Sequence, residues 1–371
     1  MTVSSAAPAP APTHAAGATS PGESGIGKAE IGDFTPHMVT LRWTEDDGWT
    51  VPRLGPHENL SVSPATAALN YGQSIIEGLK AHRQPDGSFA VFRPRDHARR
   101  FRSSARRLAM PELPDDLFVD ALDRLVEANT DVVPDRPGYS LYLRPYMFAS
   151  EANVVPRPAR EYTVVVISFL IGSYFGDSPD GVRAWVCRDY ARAFPGGTGS
   201  AKTPGNYAPT MPAQLAAGRA GCQQVVWLDA VERRWVEEMG SANLFFVRGS
   251  GDDLTVVTPP LNGNFLPGIT RDSVIAVATE LGYRVSEEPV ALDAWREGCA
   301  SGLITETFGC GTAAVVTAVG RVRDGDREWT VGDGTTGPVT SAVKERLLAH
   351  HHGLIPDVHG WRHSATTGAR R

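Results

Sequence analysis

The chain has 371 residues, of which 42% are hydrophobic and 21% charged, with a net charge of −6. That length favours two domains over one, and no apolar run approaches the roughly 18 residues needed to cross a bilayer. The four cysteines, Cys187, Cys222, Cys299 and Cys310, are widely spaced with no CxxC pair, so neither a disulfide framework nor a metal site is expected.

Residues 1–33, biased to Ala, Pro, Ser, Gly and Thr, cannot bury enough surface to offset ordering entropy and read as a disordered arm. They lack the basic and apolar segments of a secretory signal, and the cysteine pattern fits a reduced, cytoplasmic protein. Ordered sequence starts near Phe34 with a strand at His37–Trp43. A short apolar-rich segment follows at Ser74–His82, then a strand at Phe89–Phe92. Spacings of three and four among Ala98, Phe101, Ala105 and Leu108 predict a helix over Asp96–Met110. Leu117, Ala121, Leu125 and Ala128 do the same for Asp115–Thr130. Strands are expected at Tyr139–Phe148 and Glu161–Ile171, the latter buried on both faces through its β-branched run Thr163–Ile167.

Gly172–Gly181, GSYFGDSPDG, has linker composition. It divides a first unit, 34–171, from a second, 182–364, leaving 365–371 as a tail. In the second unit strands are expected at Val182–Cys187, Gln223–Leu228, Leu244–Val247 and Leu254–Thr258. Helices are expected at Pro209–Ala220, Thr270–Leu281 and Val339–His350. Strands and helices mix in both halves, so the fold class is α+β (mixed α/β) in two domains.

Only four of the 36 basic residues are lysines: Lys28, Lys80, Lys202 and Lys344. Arginine cannot lose its proton and so cannot condense with an aldehyde, whereas a neutral lysine amine can. A lysine kept in this background draws attention, and Lys202 stands within GGTGSAKTPGNY, a glycine-rich stretch open to close approach by a ligand. On its glycines alone this is an ordinary flexible loop with a solvated lysine. Three further segments are suggestive only together. LPGITRDS, 266–273, leaves the amides of Ile269 and Thr270 free at a helix start, which suits a phosphate, although a plain helix entry capped by Thr270 is the commoner outcome. GCGTA, 309–313, is a small-residue turn that can offer amides and the Thr312 hydroxyl to an anion. WVEEMGSAN, 235–243, carries two acids; taken alone, two solvated glutamates is the plainer reading. Seven arginines crowd Arg93–Arg107. The interleaved apolar positions and acidic net charge make this a solvated face with one or two inward-reaching residues, not a nucleic-acid patch.

Together these segments resemble the branched-chain amino acid aminotransferases, fold-type IV pyridoxal-phosphate enzymes. GGTGSAKTPGNYAPTMPAQ, RWVEEMGSANLFFV, TPPLNGNFLPGITRDS and TETFGCGTAAVVT match four signatures of that family in order. NYGQSIIEGLKAH and LYLRPYMF match two more in the first half. The resemblance implies a cofactor between the two domains and a transfer of nitrogen from an apolar L-amino acid to an acceptor such as 2-oxoglutarate. It implies that Lys202 carries pyridoxal 5'-phosphate and moves the substrate proton, that Glu238 keeps the ring nitrogen protonated, and that Tyr207 bonds the 3′-oxygen. Arg100, Ile269, Thr270 and Thr312 would hold the phosphate. Tyr142 and Arg144 would serve substrate carboxylates, and the amides of Thr312 and Ala313 the α-carboxylate. Tyr71, Phe34 and Tyr174 would wall the side-chain pocket. A homodimer is implied, with the loop Asn153–Arg157 closing the neighbour's pocket.

Four positions depart from the family pattern. Ile76 stands where phenylalanine is usual, and Ala242 replaces a larger residue. Val155-Pro156 replaces Gly-Val, and Pro204 interrupts Gly-Gly-Asn. Ile76 and Ala242 remove volume and suggest a pocket reshaped for a specialised substrate, about 1–3 kcal/mol of selectivity per methylene. Neutral drift of the wall is the competing account. The alternatives on the same fold are a D-amino acid aminotransferase or an aminodeoxychorismate lyase. A non-catalytic binding protein is the remaining one, disfavoured by the joint presence of Lys202, Glu238 and Tyr207.

Overall fold

The computed structural model describes residues 34–134, 138–172 and 180–365. The expected arm, tail and most of the expected linker, Tyr174 included, lie outside these residues. Two nine-stranded sheets dominate. The first is built from β1 (His37–Thr44), β2 (Gly48–Trp49), β3 (Arg53–Pro56), β4 (Ser74–Ile76), β5 (Leu79–Arg83), β6 (Phe89–Phe92), β7 (Ser140–Ala149) and β8 (Glu161–Ile171). The second holds β9 (Val182–Cys187), β10 (Gln224–Leu228), β11 (Val236–Met239), β12 (Ala242–Arg248), β13 (Thr255–Thr258), β14 (Arg284–Glu287), β15 (Ile304–Gly311), β16 (Val315–Asp324) and β17 (Arg327–Thr330). A last strand, β18 (Arg362–Ser364), returns to the first sheet and pairs antiparallel with β6. The C-terminal end, expected within the second unit, therefore adds to the first.

Seven helices accompany the sheets among the described residues: α1 (Ala67–Tyr71), α2 (Pro94–Arg107), α3 (Asp115–Glu127), α4 (Met211–Arg219), α5 (Ile269–Glu280), α6 (Leu292–Ser301) and α7 (Pro338–His351). The long β8 lies between β7 and β1, antiparallel to both. Val164 and Val166 join the core beneath α2 and α3, with Phe101, Phe118, Leu122 and Leu125. Val165, on the opposite face by strand alternation, is also fully buried. The strand is thus covered on both sides, as its composition implies. α2 starts two residues earlier than expected, with Pro at its first position. It ends at Arg107 because Ala109 turns to φ +52°, a left-handed conformation that cannot continue a helix.

The segment Ser74–His82 divides at Glu77–Gly78, so β4 and β5 both pair with β7. A Cβ at Gly78 would come within 2.0 Å of the Tyr142 hydroxyl, so the break needs glycine. In the second sheet, β9 runs parallel to both β10 and β16, which places α4 in the crossover from β9 to β10. α5 and α7 pack with Phe245, Phe308 and Val316 into a core against β12, β15 and β16.

Each of the seven arginines of 93–107 meets an acid or a carbonyl. Arg95 pairs with Asp116, Arg102 with Asp115 and Arg106 with Glu112. Arg93 and Arg99 share Asp96, Arg100 meets Glu77, and Arg107 donates to the Gly196 and Gly197 carbonyls. The face is neutralised from within, as expected of a structural rather than a phosphate-tracking run.

Candidate active site

The lysine loop is held at many points and is not a free surface loop. Ala201 N donates to Thr198 O, and the Asn206 amide donates to the Thr198 and Ala201 carbonyls. The Lys202 backbone is gripped from the first sheet: its N–H donates to Ser104 Oγ at 2.9 Å on α2, and its carbonyl accepts from Ile76 N at 2.9 Å. Gly199 lies so close to Asn264 that a Cβ would fall 1.8 Å from its carbonyl oxygen. The glycine there serves packing rather than mobility. Lys202 Nζ faces a cavity of about 760 Å³ and donates to the Tyr207 hydroxyl at 2.8 Å. Both sheets line that cavity, through Gly78, Arg100 and Tyr142 on one side and Lys202, Ala242 and Thr312 on the other.

The two acids of β11 are both buried, one on each face of the strand, so the plainer reading of this segment taken alone, two solvated glutamates, does not hold. Most of their polar partners come from distant segments of the chain. Glu237 accepts from Asn262 at 3.1 Å and Asn264 at 2.9 Å. Glu238 accepts from Leu266 N at 3.3 Å and, at the 3.5 Å limit, from Asn243. Its second oxygen lies 2.9 Å from an Arg192 guanidinium nitrogen with no donor aligned on it. Burial raises the Glu238 carboxyl above the usual carboxylate range, partly opposed by Arg192. Arg192, whose side chain is also buried, was not singled out from the sequence; in a chain this rich in arginine, RDYARAF carries no signal.

α5 begins at the cavity with Ile269 and Thr270. Its N-cap is Gly268 and no side chain caps it, so its first amides are available to an anion. A Cβ at Gly268 would come 2.0 Å from Asn243 Oδ1, and one at Gly309 would meet Met239 at 2.7 Å. Arg100 reaches the same corner, donating to Pro267 O at 3.2 Å. The rest of its guanidinium forms a two-pronged pair with Glu77, at 2.7 and 2.9 Å. Glu77 also meets His97 at 2.7 Å. Burial pushes the Glu77 carboxyl up, but Arg100 and His97 outweigh it and hold the group well below the usual range.

A buried acid with an unanswered oxygen, an amine 2.8 Å from a phenol, and uncapped helix amides beside glycines suit a flat, anionic, ring-bearing cofactor. Lys202, Tyr207, Ile269, Thr270 and Arg100 all line this space, and Glu238 is buried next to the lining residue Met239. Thr312 and Ala313 also line it. Their turn is held by Lys80, whose Nζ donates to Ala313 O at 2.9 Å. Tyr142 stacks on Phe169, ring centroids 4.8 Å apart, and accepts from Arg144 at 3.2 Å. Arg144 is half-buried, with an unpartnered Nε. Ala242 forms part of the wall, whereas Ile76 meets the site through its backbone. Phe34 and Tyr71 are exposed and do not line the cavity of their own chain. The Tyr71 hydroxyl donates to Val154 O on the Asn153–Arg157 loop.

The family described as amino-transferase class IV matches residues 74–322. A probable branched-chain-amino-acid aminotransferase of Streptomyces coelicolor is 49% identical over 332 residues, covering 89% of this chain and 91% of that protein. The solved branched-chain amino acid aminotransferase of Escherichia coli superposes with a TM-score of 0.72 at 28% identity, covering 88% of this chain and 99% of that one. The branched-chain amino acid aminotransferase of T.th., solved with pyridoxamine 5′-phosphate, gives a TM-score of 0.70 at 30% identity, over 88% of this chain and 98% of that one. The chain belongs to the class IV aminotransferases, within the branched-chain-amino-acid aminotransferase family. It is a fold-type IV enzyme, and the same-fold and non-catalytic alternatives are not favoured.

Proposed function

We propose that this protein transfers the α-amino group of a branched-chain or similar apolar L-amino acid to 2-oxoglutarate, using pyridoxal 5'-phosphate carried on Lys202. The observation that carries the reading is the convergence of Lys202 Nζ, the Tyr207 hydroxyl and the uncapped start of α5 on one cavity, with the buried Glu238 carboxyl behind it. When bound, pyridoxal phosphate supplies an aldehyde carbon for attachment and a ring that withdraws electrons from the substrate's Cα.

The residues then divide the work. Lys202 Nζ anchors the cofactor and later moves the substrate's Cα proton. Glu238, with its affinity for a proton raised by burial, holds one between its carboxyl and the ring nitrogen. Tyr207 orients the amine. Arg100, Ile269, Thr270 and Thr312 hold the phosphate through charge and amides. Thr312 and Ala313 take the α-carboxylate, and Tyr142 with Arg144 takes the distal carboxylate of the acceptor.

A homodimer is supported by exposed apolar side chains: Leu69 and Tyr71 on α1 and Val154 and Val155 on the loop that Tyr71 meets are open to water, as residues awaiting a partner surface are. In a dimer Tyr71, Phe34 and the 153–157 loop would complete the neighbour's pocket. Sedimentation of the purified protein as a monomer at micromolar concentration would remove this part. A cytoplasmic setting is supported by four unbridged cysteines; among the described residues no helix is long and apolar enough to cross a membrane.

The small Ala242 in the wall supports a pocket reshaped for a β-branched or bulkier substrate. Comparing kcat/KM for Val, Leu, Ile, allo-isoleucine and Phe tests it, with an unselective ranking as the adverse result. The attachment itself is tested by absorbance: the purified chain with added cofactor gains a near-violet band that Lys202→Ala loses. A colourless wild type would overturn the proposal.

A further inference from the structure

The far end of the cofactor helix carries a side-chain cluster that transamination does not use. Five of the ten histidines fall within residues 350–363, and two of them converge on one acid of another helix. His350, in the last turn of α7, places Nε2 3.1 Å from Glu280 Oε2. His359, in the loop before β18, places Nε2 on Glu280 Oε1. Glu280 is the last residue of α5. The three ligand atoms lie within 4.8 Å of one another.

We propose that Glu280, His350 and His359 form a binding site for a zinc-like divalent cation, which ties the end of α5 to α7 and to the loop before β18. Two imidazoles and one carboxylate are a borderline donor set suited to Zn²⁺, with a fourth position left to water. A tetrahedral zinc with bonds of about 2.1 Å separates its ligands by about 3.4 Å, so the atoms need only small side-chain rotations to close on a metal.

The ligands are also preorganised. The His359 ring stacks on Trp361 at 4.1 Å and 19°, and the His350 ring is buried against the edge of the same indole at 5.1 Å. Asp357 accepts from Trp361 N and Arg362 N at 2.9 and 2.8 Å, fixing the loop that presents His359. Without a metal, both rings must present Nε2–H to a single carboxylate. With both Nε2 atoms deprotonated, the same arrangement is a three-ligand set.

One competing cation is present. Arg346 lies 3.7 Å from Glu280 Oε2, and its side chain is 41% exposed, free to swing to solvent as the metal enters. The site connects to the catalytic end of α5 through Trp361. Arg93 lies over that indole at 5.2 Å and donates to Ser273 Oγ, in the first turns of α5, at 2.9 Å. A cation there braces the helix whose opposite end meets the cofactor phosphate. No sequence pattern hints at the site, because Glu280 stands 70 residues before His350.

The test uses tag-free holoenzyme freed of metal by a chelator and titrated with zinc sulfate at pH 7.5 by calorimetry. Wild type should take up one zinc per chain, with a rise in melting temperature that EDTA reverses. His359→Ala and Glu280→Gln alter exposed positions and should weaken binding by about tenfold or more. His363→Ala, on a ring that pairs with Asp123 instead, should leave it unchanged. The proposal is overturned if wild type shows no saturable uptake, or if His359→Ala and Glu280→Gln bind zinc as tightly as wild type. It is equally overturned if His363→Ala weakens binding as much as they do.

Discussion

Two glutamates, Glu77 and Glu238, are both fully buried beside the same cavity, yet their proton affinities are shifted in opposite directions. Glu77, at the break between β4 and β5, has every direction answered: two bonds from Arg100, one from His97 and one from Gly78 N. Glu238, on β11, has long bonds on one oxygen and an unaligned guanidinium beside the other. Burial raises both, so their partners decide the sign. Glu77 is driven well below the usual carboxylate range and Glu238 is lifted above it. The first sheet thus uses a charge to fix a scaffold, and the second carries a carboxyl with raised proton affinity, the property that the proposed role of Glu238 needs.

Swapping the two roles by mutation is the sharpest way to break this contrast. Glu238→Gln keeps the shape and removes the proton affinity, so kcat should fall by about 10²–10⁴-fold, the range of a lost acid–base partner. Near-wild-type activity would place the proton elsewhere. Glu77→Gln should act on stability instead. It strands the buried Arg100 charge, costing about 3–5 kcal/mol by denaturant unfolding, and it should loosen the phosphate corner. The pH dependence carries the same signature. With its folded value depressed, the Glu77 carboxylate stabilises the protein fully above its ordinary value of 4.5, and the benefit is lost as pH falls through the lowered value. Wild type and Glu77→Gln should therefore differ most near neutrality and converge in strong acid. A constant gap down to about pH 2 would contradict the ion-pair account.

How much of this was legible in the sequence follows the same division. Local periodicity gave α2 and α3 to within a few residues, because their apolar stripes face a sheet. The β-branched run of β8 announced burial on both faces. α6 went unread, since LDAWREGCAS has its glycine inside the helix and only Leu292, Trp295 and Gly298 buried. The acids at 237 and 238 read as solvated because their partners, Asn262, Asn264 and Arg192, lie on other segments. No local pattern encodes a long-range hydrogen bond. The lysine loop looked flexible for a related reason: Gly199 is forced by the approach of Asn264 and Gly197 by that of Phe194, contacts that a run of glycines does not reveal. Lysine scarcity did point to Lys202. It pointed equally to Lys80, a buried residue whose contact, 233 positions away, only the fold reveals.

Lys80 therefore supplies the finest test of the contrast, as a buried charge placed to hold a turn rather than to react. Its Nζ bonds the Ala313 carbonyl, in the turn expected to receive the substrate α-carboxylate. Two residues on, Val315 adopts φ +61°, a conformation β-branched residues avoid, so the turn needs an outside hold. Burial lowers the Lys80 amine to about 8. Below that pH the ammonium gives the turn a charge-assisted bond and offers positive charge to the carboxylate; above it the charge is lost. The amino-acid KM should rise as pH passes about 8. Lys80→Met should show the raised KM already at neutral pH, by roughly tenfold for a lost charged hydrogen bond, with kcat less affected and no step near the amine's own titration. Parallel KM profiles for wild type and Lys80→Met would show that the lysine only fills space. A mutant that loses kcat and KM together would place it in the chemistry after all.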